Sequence, residues 1–293
     1  MLRSANWHST GHKLGEGAFG TVVRGIDGMG KDCAIKSVPM TPQHDMDQST
    51  VREMCALYTI SHHNVLPIRA CRTDSMGTEM KLPLCDGSLH DYMRARGALA
   101  VPALRDLTQQ ILRGVRACHR VSIAHRDLKP ENILVSQRAD GTVRLYIADF
   151  GLSRNLQMAT AGELTPLVVT LWYRAPEVLL GSGYSEKIDL WSVGVIMWEM
   201  AQGGLTPFRG DSELEQLRLI AACMGLPSGA GGLAASEPVV VDWHALLPAS
   251  LGAQGIDLVR GLLALDPRVR LSAETACKHS FAKRSGPSMR SRP

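Results

Sequence analysis

The chain has 293 residues, 45% of them hydrophobic and 20% charged, enough apolar surface for one large domain or two joined lobes, which excludes disorder along its whole length. Thirty-two basic against 28 acidic residues leave a net charge of +4, too small to argue for nucleic acid as the main partner. Seven cysteines, odd in number and never spaced Cys-x-x-Cys, argue against a disulfide framework or a zinc ribbon and for a reducing compartment, cytoplasm or nucleus.

The chain opens with short strands, Lys13-Leu14, Thr21 to Ile26 and Cys33 to Val38, separated by glycine-rich turns at Gly15-Glu16-Gly17 and Gly28-Met29-Gly30. That pattern predicts an antiparallel meander. A helix follows, with Val51, Met54, Cys55 and Tyr58 recurring at three- and four-residue steps and Glu53, Leu57 and Ile60 on a neighbouring face. Two more strands are expected near Ile68 and Met80. Beyond them Leu104, Leu107, Ile111 and Val115 form one apolar stripe, and Leu190 to Trp198 is apolar all round, as in a helix buried on every side. The uncharged stretch Leu219 to Ser236 is too broken by Gly225, Pro227, Gly229, Gly231 and Gly232 to cross a membrane, and no membrane partner is expected. Gly225 to Ala235 reads as a surface loop and residues beyond Phe281 as a basic tail. Strands first and helices afterwards predict an α+β protein with a small sheet-rich lobe and a larger helical one.

The glycines of Gly15-Glu16-Gly17-Ala18-Phe19-Gly20, between two strands, let backbone amides approach a polyphosphate, although a glycine-rich hairpin has the same composition. Lys36, on the strand after that loop, can reach α and β phosphates, and Glu53 on the following helix is placed to orient it by an ion pair. Each alone reads as a solvated charge; their order along the chain favours the paired reading.

Further on come His125-Arg126-Asp127-Leu128-Lys129-Pro130-Glu131-Asn132, then Asp149-Phe150-Gly151, then Ala175-Pro176-Glu177. These motifs, in this order, resemble the protein kinase family from Leu14 to about Phe281. The resemblance implies a bilobal kinase fold over residues 1–281, with an antiparallel-sheet N-lobe to about 82 carrying one regulatory helix, a hinge at about 83–87, a mainly helical C-lobe over about 88–281 and a basic tail at 282–293. It implies ATP and Mg2+, with Asp149 and Asn132 as the hard oxygen ligands magnesium prefers. Asp127 would accept or orient the hydroxyl proton of the substrate, and Lys129 would sit against the moving phosphate, as in serine/threonine kinases. ATP would be held by Leu14, Gly15, Glu16, Gly17, Ala18, Phe19, Gly20, Thr21, Val22, Ala34, Lys36, Glu53 and Leu134, with Leu82 at the back of the pocket. Backbone groups of Pro83 and Cys85 would read the purine edge, where a proline still offers its carbonyl. Leu57, Ile68, His125 and Phe150 are expected to stack, and Glu177 to pair with Arg270.

The run Val168-Val169-Thr170-Leu171-Trp172-Tyr173-Arg174-Ala175-Pro176-Glu177 is similar to cyclin-dependent kinases and their relatives, the CMGC group. That resemblance implies a subsite at Thr170 and Arg174 for proline after the phosphorylated residue. It also implies activation by an upstream kinase at Thr165, with Arg52, Arg126 and Arg154 as ligands of the new phosphate. Asp47-Gln48-Ser49-Thr50-Val51-Arg52-Glu53 only partly resembles the cyclin-binding signature, so a cyclin partner and a cyclin-independent enzyme both remain open. Ala18 and Phe19 replace the Thr-Tyr pair that many relatives use for inhibitory phosphorylation. A pseudokinase scaffold would be expected to lack Lys36, Asp127, Asn132 or Asp149, and all four are present. A small-molecule kinase is disfavoured by the peptide-binding ledge of Thr170 to Glu177.

Overall fold

The computed structural model describes residues 6–17, 20–41, 45–156, 170–225 and 241–283. Along the chain run β1 (Trp7–Gly17), β2 (Gly20–Asp27), β3 (Asp32–Pro39), α1 (Gln48–Thr59), β4 (Ala70–Thr73), β5 (Gly77–Pro83), β6 (Gly87–Ser88), α2 (Leu89–Arg96), α3 (Val101–Arg120), β7 (Ile123–Ala124), β8 (Ile133–Gln137), β9 (Val143–Ile147) and β10 (Arg154–Asn155). Helices follow: α4 (Pro176–Leu179), α5 (Lys187–Ala201), α6 (Glu213–Met224), α7 (Trp243–Leu246), α8 (Gly252–Leu262) and α9 (Ala273–Cys277). The chain divides into two units, Met1–Tyr92 with Ala117–Val169, and Met93–Arg116 with Thr170–Pro293, so α2 and α3 each contribute to both.

The first unit is built on a five-stranded antiparallel sheet in the order β1-β2-β3-β5-β4. In β5 the alternate residues Thr78, Met80 and Leu82 are buried, the period expected of a strand with one covered face. In the central β3, four successive residues from Cys33 to Lys36 are buried, so this strand is covered on both faces and carries its lysine into an apolar setting. Trp7 anchors the first strand against Cys33 and Ile35. Its indole N–H donates to Glu79 Oε2 at 3.1 Å, and the Arg72 guanidinium lies 4.7 Å from the ring centre.

Two expectations shift. Gly15, Glu16 and Gly17 are not a turn but the end of β1, paired with Val22, Thr21 and Gly20, because backbone pairing continues whatever the side chains are. Helix α1 is capped by Asp47, whose carboxylate accepts from the amides of Ser49 at 2.8 Å and Thr50 at 3.3 Å. It turns inward the face of Ser49, Thr50, Glu53, Ala56 and Leu57, and leaves Val51 and Tyr58 exposed by 41% and 55%. Periodicity alone cannot choose between two partly apolar faces; here the face holding an acidic residue with a buried partner is the one that goes in.

Two smaller ladders belong to the same unit. Strands β6, β8 and β9 form one, with Leu134 opposite Ser88 and Ile133 opposite Ile147. Strands β7 and β10 form the other, with Arg154 opposite Ala124.

The second unit is helical. The stripe Leu104, Leu107, Ile111 and Val115 on α3 is buried as expected, and every residue of α5 from Ile188 to Ala201 is buried. At Gly194 a β-carbon would stand 2.8 Å from Leu263 Cδ2 and 3.0 Å from Leu262 Cβ, so α5 and α8 pack closely only because that residue is glycine. Glu177 and Arg270 meet as a fork, Nη1 to Oε1 at 2.6 Å and Nη2 to Oε2 at 2.9 Å, both buried. Arg270 Nε also donates to the carbonyl of Ala264 at 2.9 Å. Among the described residues no helix is long and apolar enough to cross a membrane.

Taking away the guanidinium would leave the Glu177 carboxylate buried and unpaired. Arg270→Ala is expected to cost about 3–5 kcal/mol in urea denaturation. Arg268→Ala, at a solvent-facing side chain two residues away, is the control expected to change little.

Candidate active site

Lys36 lies in register between Val22 of β2 and Met80 of β5, which points its stem across the covered face of the sheet. Its Nζ stands 2.6 Å from Glu53 Oε2 on α1 and 3.7 Å from Asp149 Oδ1. Burial pushes the Glu53 carboxyl above its ordinary value, opposed by the nearby Lys36 ammonium. Asp149 sits at φ +61°, a left-handed conformation uncommon for a residue with a side chain.

A second cluster, on residues 125–132, contacts Ala148 and Phe150 on either side of Asp149. Asn132 Nδ2 donates to the Asp127 carbonyl at 2.8 Å and to Asp127 Oδ2 at 2.9 Å, and Lys129 Nζ stands 3.0 Å from the same Oδ2. His125 Nε2 lies 2.9 Å from the Ala148 carbonyl, while its Nδ1 accepts the Asp127 amide at 3.3 Å, a division of roles that fits the Nε2–H tautomer. The Phe150 ring meets His125 edge-on at 4.7 Å. Leu57 is buried and Ile68 half-buried.

The donor set suits a hard cation beside a polyphosphate. Asp149 Oδ1 is buried and accepts no hydrogen bond, and the Asn132 amide nitrogen is committed to Asp127, which leaves the amide oxygen for a cation. Two protein oxygens are what Mg2+ needs when phosphates and waters complete its shell. Among the described residues no group of three or more His, Cys, Asp or Glu could hold a metal without such help.

The residues expected at the nucleotide are distributed over five strands, β1, β2, β3, β5 and β8. Gly15 pairs with Val22, and a β-carbon there would meet nothing within 4 Å, so room exists for a phosphate. Gly20, at φ +125°, is fixed by the fold itself, since a β-carbon would collide with the Ser37 carbonyl. Leu14 is exposed, Glu16 is paired with Lys13, and Thr21 and Val22 are half-buried. Ala34 lies opposite Leu82, and Pro83 opposite Cys33. The half-buried Leu134 is on β8. Cys85 follows β5, its Sγ 3.9 Å from the Pro83 carbonyl and its thiol pushed up to about 11 by burial. Ala18 and Phe19 lie outside the described residues, as does Thr165. Of the arginines expected around Thr165, Arg52 donates from Nε to the Gly151 carbonyl at 2.8 Å, Arg154 is on β10 opposite Ala124, and Arg126 follows Ala124 by two residues at φ +71°.

In the second unit Thr170 precedes the turn Leu171–Tyr173. Arg174 Nη1 stands 3.0 Å from Glu213 Oε1 on α6. Three anchors escaped sequence reasoning. Gln216 donates to the Trp172 carbonyl at 3.1 Å, Trp172 Nε1 donates to the Gly210 carbonyl at 3.2 Å, and Tyr173 donates to the buried Glu199 at 2.8 Å. Their only hint was polar residues in otherwise apolar helical runs.

Residues 8–282 match the family described as protein kinase domain. Among curated proteins, the chain is 36% identical over 287 residues to cell division control protein 2 homolog 3 of Trypanosoma brucei brucei, an alignment covering 92% of this chain and 89% of that one.

Because burial raises Glu53, its carboxylate takes up a proton at a higher pH during acidification than an exposed glutamate does, and the Lys36 pair opens there. The acid limb of kcat is expected above the ordinary carboxylate range. In Glu53→Gln that limb should be lost and kcat at neutral pH should fall on the order of a hundredfold. A pH–rate series on both proteins measures it.

Proposed function

The chain belongs to the protein kinase family, in its cyclin-dependent kinase-like branch of serine/threonine kinases, and from that premise we propose that it phosphorylates serine or threonine followed by proline, under control of Thr165. The observation that carries the catalytic reading is the closed contact of Lys36 with Glu53, with Asp149 Oδ1 beside it, buried and without a hydrogen bond. In this reading Lys36 binds the α and β phosphates of ATP, oriented by Glu53, while Asp149 and Asn132 would hold Mg2+. The bound cation would neutralise charge on the phosphates during transfer. Asp127 takes the proton of the attacking hydroxyl, and Lys129, 3.0 Å from its carboxylate, balances charge on the phosphoryl oxygens. Leu14, Val22, Ala34 and Leu134 enclose the adenine, with the Pro83 carbonyl and Cys85 backbone on its edge at a hinge spanning 83–87. None of the seven cysteines is in a disulfide, in keeping with the cytoplasm or nucleus as the place of action.

Arg174, held by Glu213, with Thr170 supports a subsite that suits proline because that residue brings no amide hydrogen to be stranded. A stranded amide costs about 1–3 kcal/mol, so a Ser-Pro peptide should exceed its Ser-Ala counterpart roughly tenfold or more in kcat/KM. Equal rates would remove proline direction. Asp149→Asn should abolish transfer to both peptides; an enzyme indifferent to that change would remove the catalytic assignment.

Arg52, Arg126 and Arg154 are the proposed ligands of a phosphate on Thr165. The outward face of α1, with Val51, Cys55 and Tyr58 exposed, is the proposed landing site of a cyclin. A cyclin-independent enzyme is the second reading, favoured by one observation: Lys36 and Glu53 already meet in the single chain. Phosphorylated parent should exceed Thr165→Ala roughly tenfold in kcat, the worth of one or two charge-assisted hydrogen bonds. Tyr58→Asp should weaken stimulation by an added cyclin. Activity that no cyclin alters selects the second reading.

A further inference from the structure

Arg52 has a contact that a waiting phosphate ligand does not need. It neighbours Glu53 on α1, and its Nε donates to the carbonyl of Gly151 at 2.8 Å, 99 residues away along the chain. Glu53 reaches Lys36 at 2.6 Å, Lys36 reaches Asp149 at 3.7 Å, and Asp149 stands two residues before Gly151. Three contacts through space and two short stretches of chain, Arg52 to Glu53 and Asp149 to Gly151, close a ring that joins the helix to the Asp149-Phe150-Gly151 segment within one unit.

We propose that Arg52 is a positioning residue which latches α1 to that segment and so keeps Glu53 on Lys36 with or without a phosphate on the loop. The ring has a mechanical consequence. A rotation of α1 that parts Glu53 from Lys36 also pulls Nε away from the Gly151 carbonyl, so the two contacts break together and the helix has two positions rather than a continuum. The chemistry of arginine suits the task. Its guanidinium is a rigid fork, and the bond to Gly151 uses only Nε, so Nη1 and Nη2 keep their donors for a second acceptor. A phosphate on Thr165 would tighten a latch already engaged. Asp149 sits at φ +61°, a conformation that the neighbouring contacts must hold in place, and a charge-assisted bond on the carbonyl two residues later is one such contact.

The inference rests on membership of the kinase family and not on phosphorylation of Thr165, and the test separates the two. In a Thr165→Ala background no loop phosphate can form at that residue. There, a residue that only binds phosphate is silent, whereas a latch is not. Hydrogen exchange of Thr165→Ala is compared with that of Arg52→Gln in Thr165→Ala. Loss of a hydrogen bond to a charged donor is expected to speed exchange roughly tenfold or more in both 48–59 and 149–153, leaving β8, β9 and α5 unchanged, and to lower kcat with peptide substrate in step. Arg52→Lys in the same background keeps one donor on a flexible stem and should recover part of the protection in both segments. Identical exchange in the two proteins overturns the latch, and so does faster exchange spread over the whole chain, which would mark a general loss of stability. If parent and Thr165→Ala prove equally active, the Thr165 reading falls while the comparison of Arg52 variants stands unaltered.

Discussion

Lys36 and Glu53 hold opposite charges 2.6 Å apart almost entirely out of water, and the first unit is arranged around the cost of doing so. Removing an ion from water costs several kcal/mol even after relaxation, and mutual attraction recovers this only in good geometry. Such a pair adds little to stability. It does make the position of α1 depend on that of β3, because either charge left alone in the apolar setting is worse than both together. The surrounding design follows. Strand β3 is covered on both faces, so Lys36 cannot swing to solvent without leaving the sheet. Asp47 caps α1 at its first turn, and the Glu53 face turns inward at the expense of the more apolar Val51 and Tyr58.

The catalytic cluster has a different electrostatic economy, in which donors are committed and an acceptor is left over. The Asn132 amide nitrogen donates to the carbonyl and the carboxylate of Asp127, Lys129 faces the same carboxylate, and His125 takes the Asp127 amide. Those contacts fix where the Asp127 oxygens point. Asp149 is treated otherwise: one oxygen is buried without a hydrogen bond, on a backbone held at positive φ. Strain and an unmet acceptor at one residue are tolerated where a ligand supplies what is missing, and a cation with its phosphates would do so here.

Reading residues in order was enough for most of this site and for the α+β arrangement, because both are written in local signals. Glycines between strands, a lysine on the strand after them and Asp149-Phe150-Gly151 need no knowledge of distant partners. The stripe on α3 and the run Leu190 to Trp198 within α5 were equally legible, since one follows a single period and the other is apolar all round. What stayed hidden is long-range. The inward face of α1 depends on a lysine in another element. The turn expected at Gly15 to Gly17 is strand, because pairing is decided by the partner strand. Glu199, Glu213 and Gln216 hold Tyr173, Arg174 and Trp172 across 26 to 44 residues of chain, and no spacing rule announces such bonds. Arg52 was read only as a phosphate ligand, because its bond to Gly151 exists only once the helix has docked.

Two buried ion pairs among the described residues, Lys36 with Glu53 and Arg270 with Glu177, are built from different cations, and the difference follows their geometry. Arg270 meets Glu177 through two parallel bonds, and its remaining donors reach the carbonyls of Ala264 and Lys187. Nearly every hydrogen of a rigid fork is occupied, so displacing it would break several bonds at once; a pair of that kind has one position. Lys36 offers a compact charge on a flexible stem, makes one short contact to Glu53, and has a second carboxylate, Asp149, 3.7 Å away. Its partner can be changed by moving a helix, and a phosphate can join the same ammonium without dismantling a fork. An arginine at position 36 would hold Glu53 more firmly and leave less for a second partner. A lysine therefore suits a pair whose partner can change, and an arginine suits a pair that only has to stay.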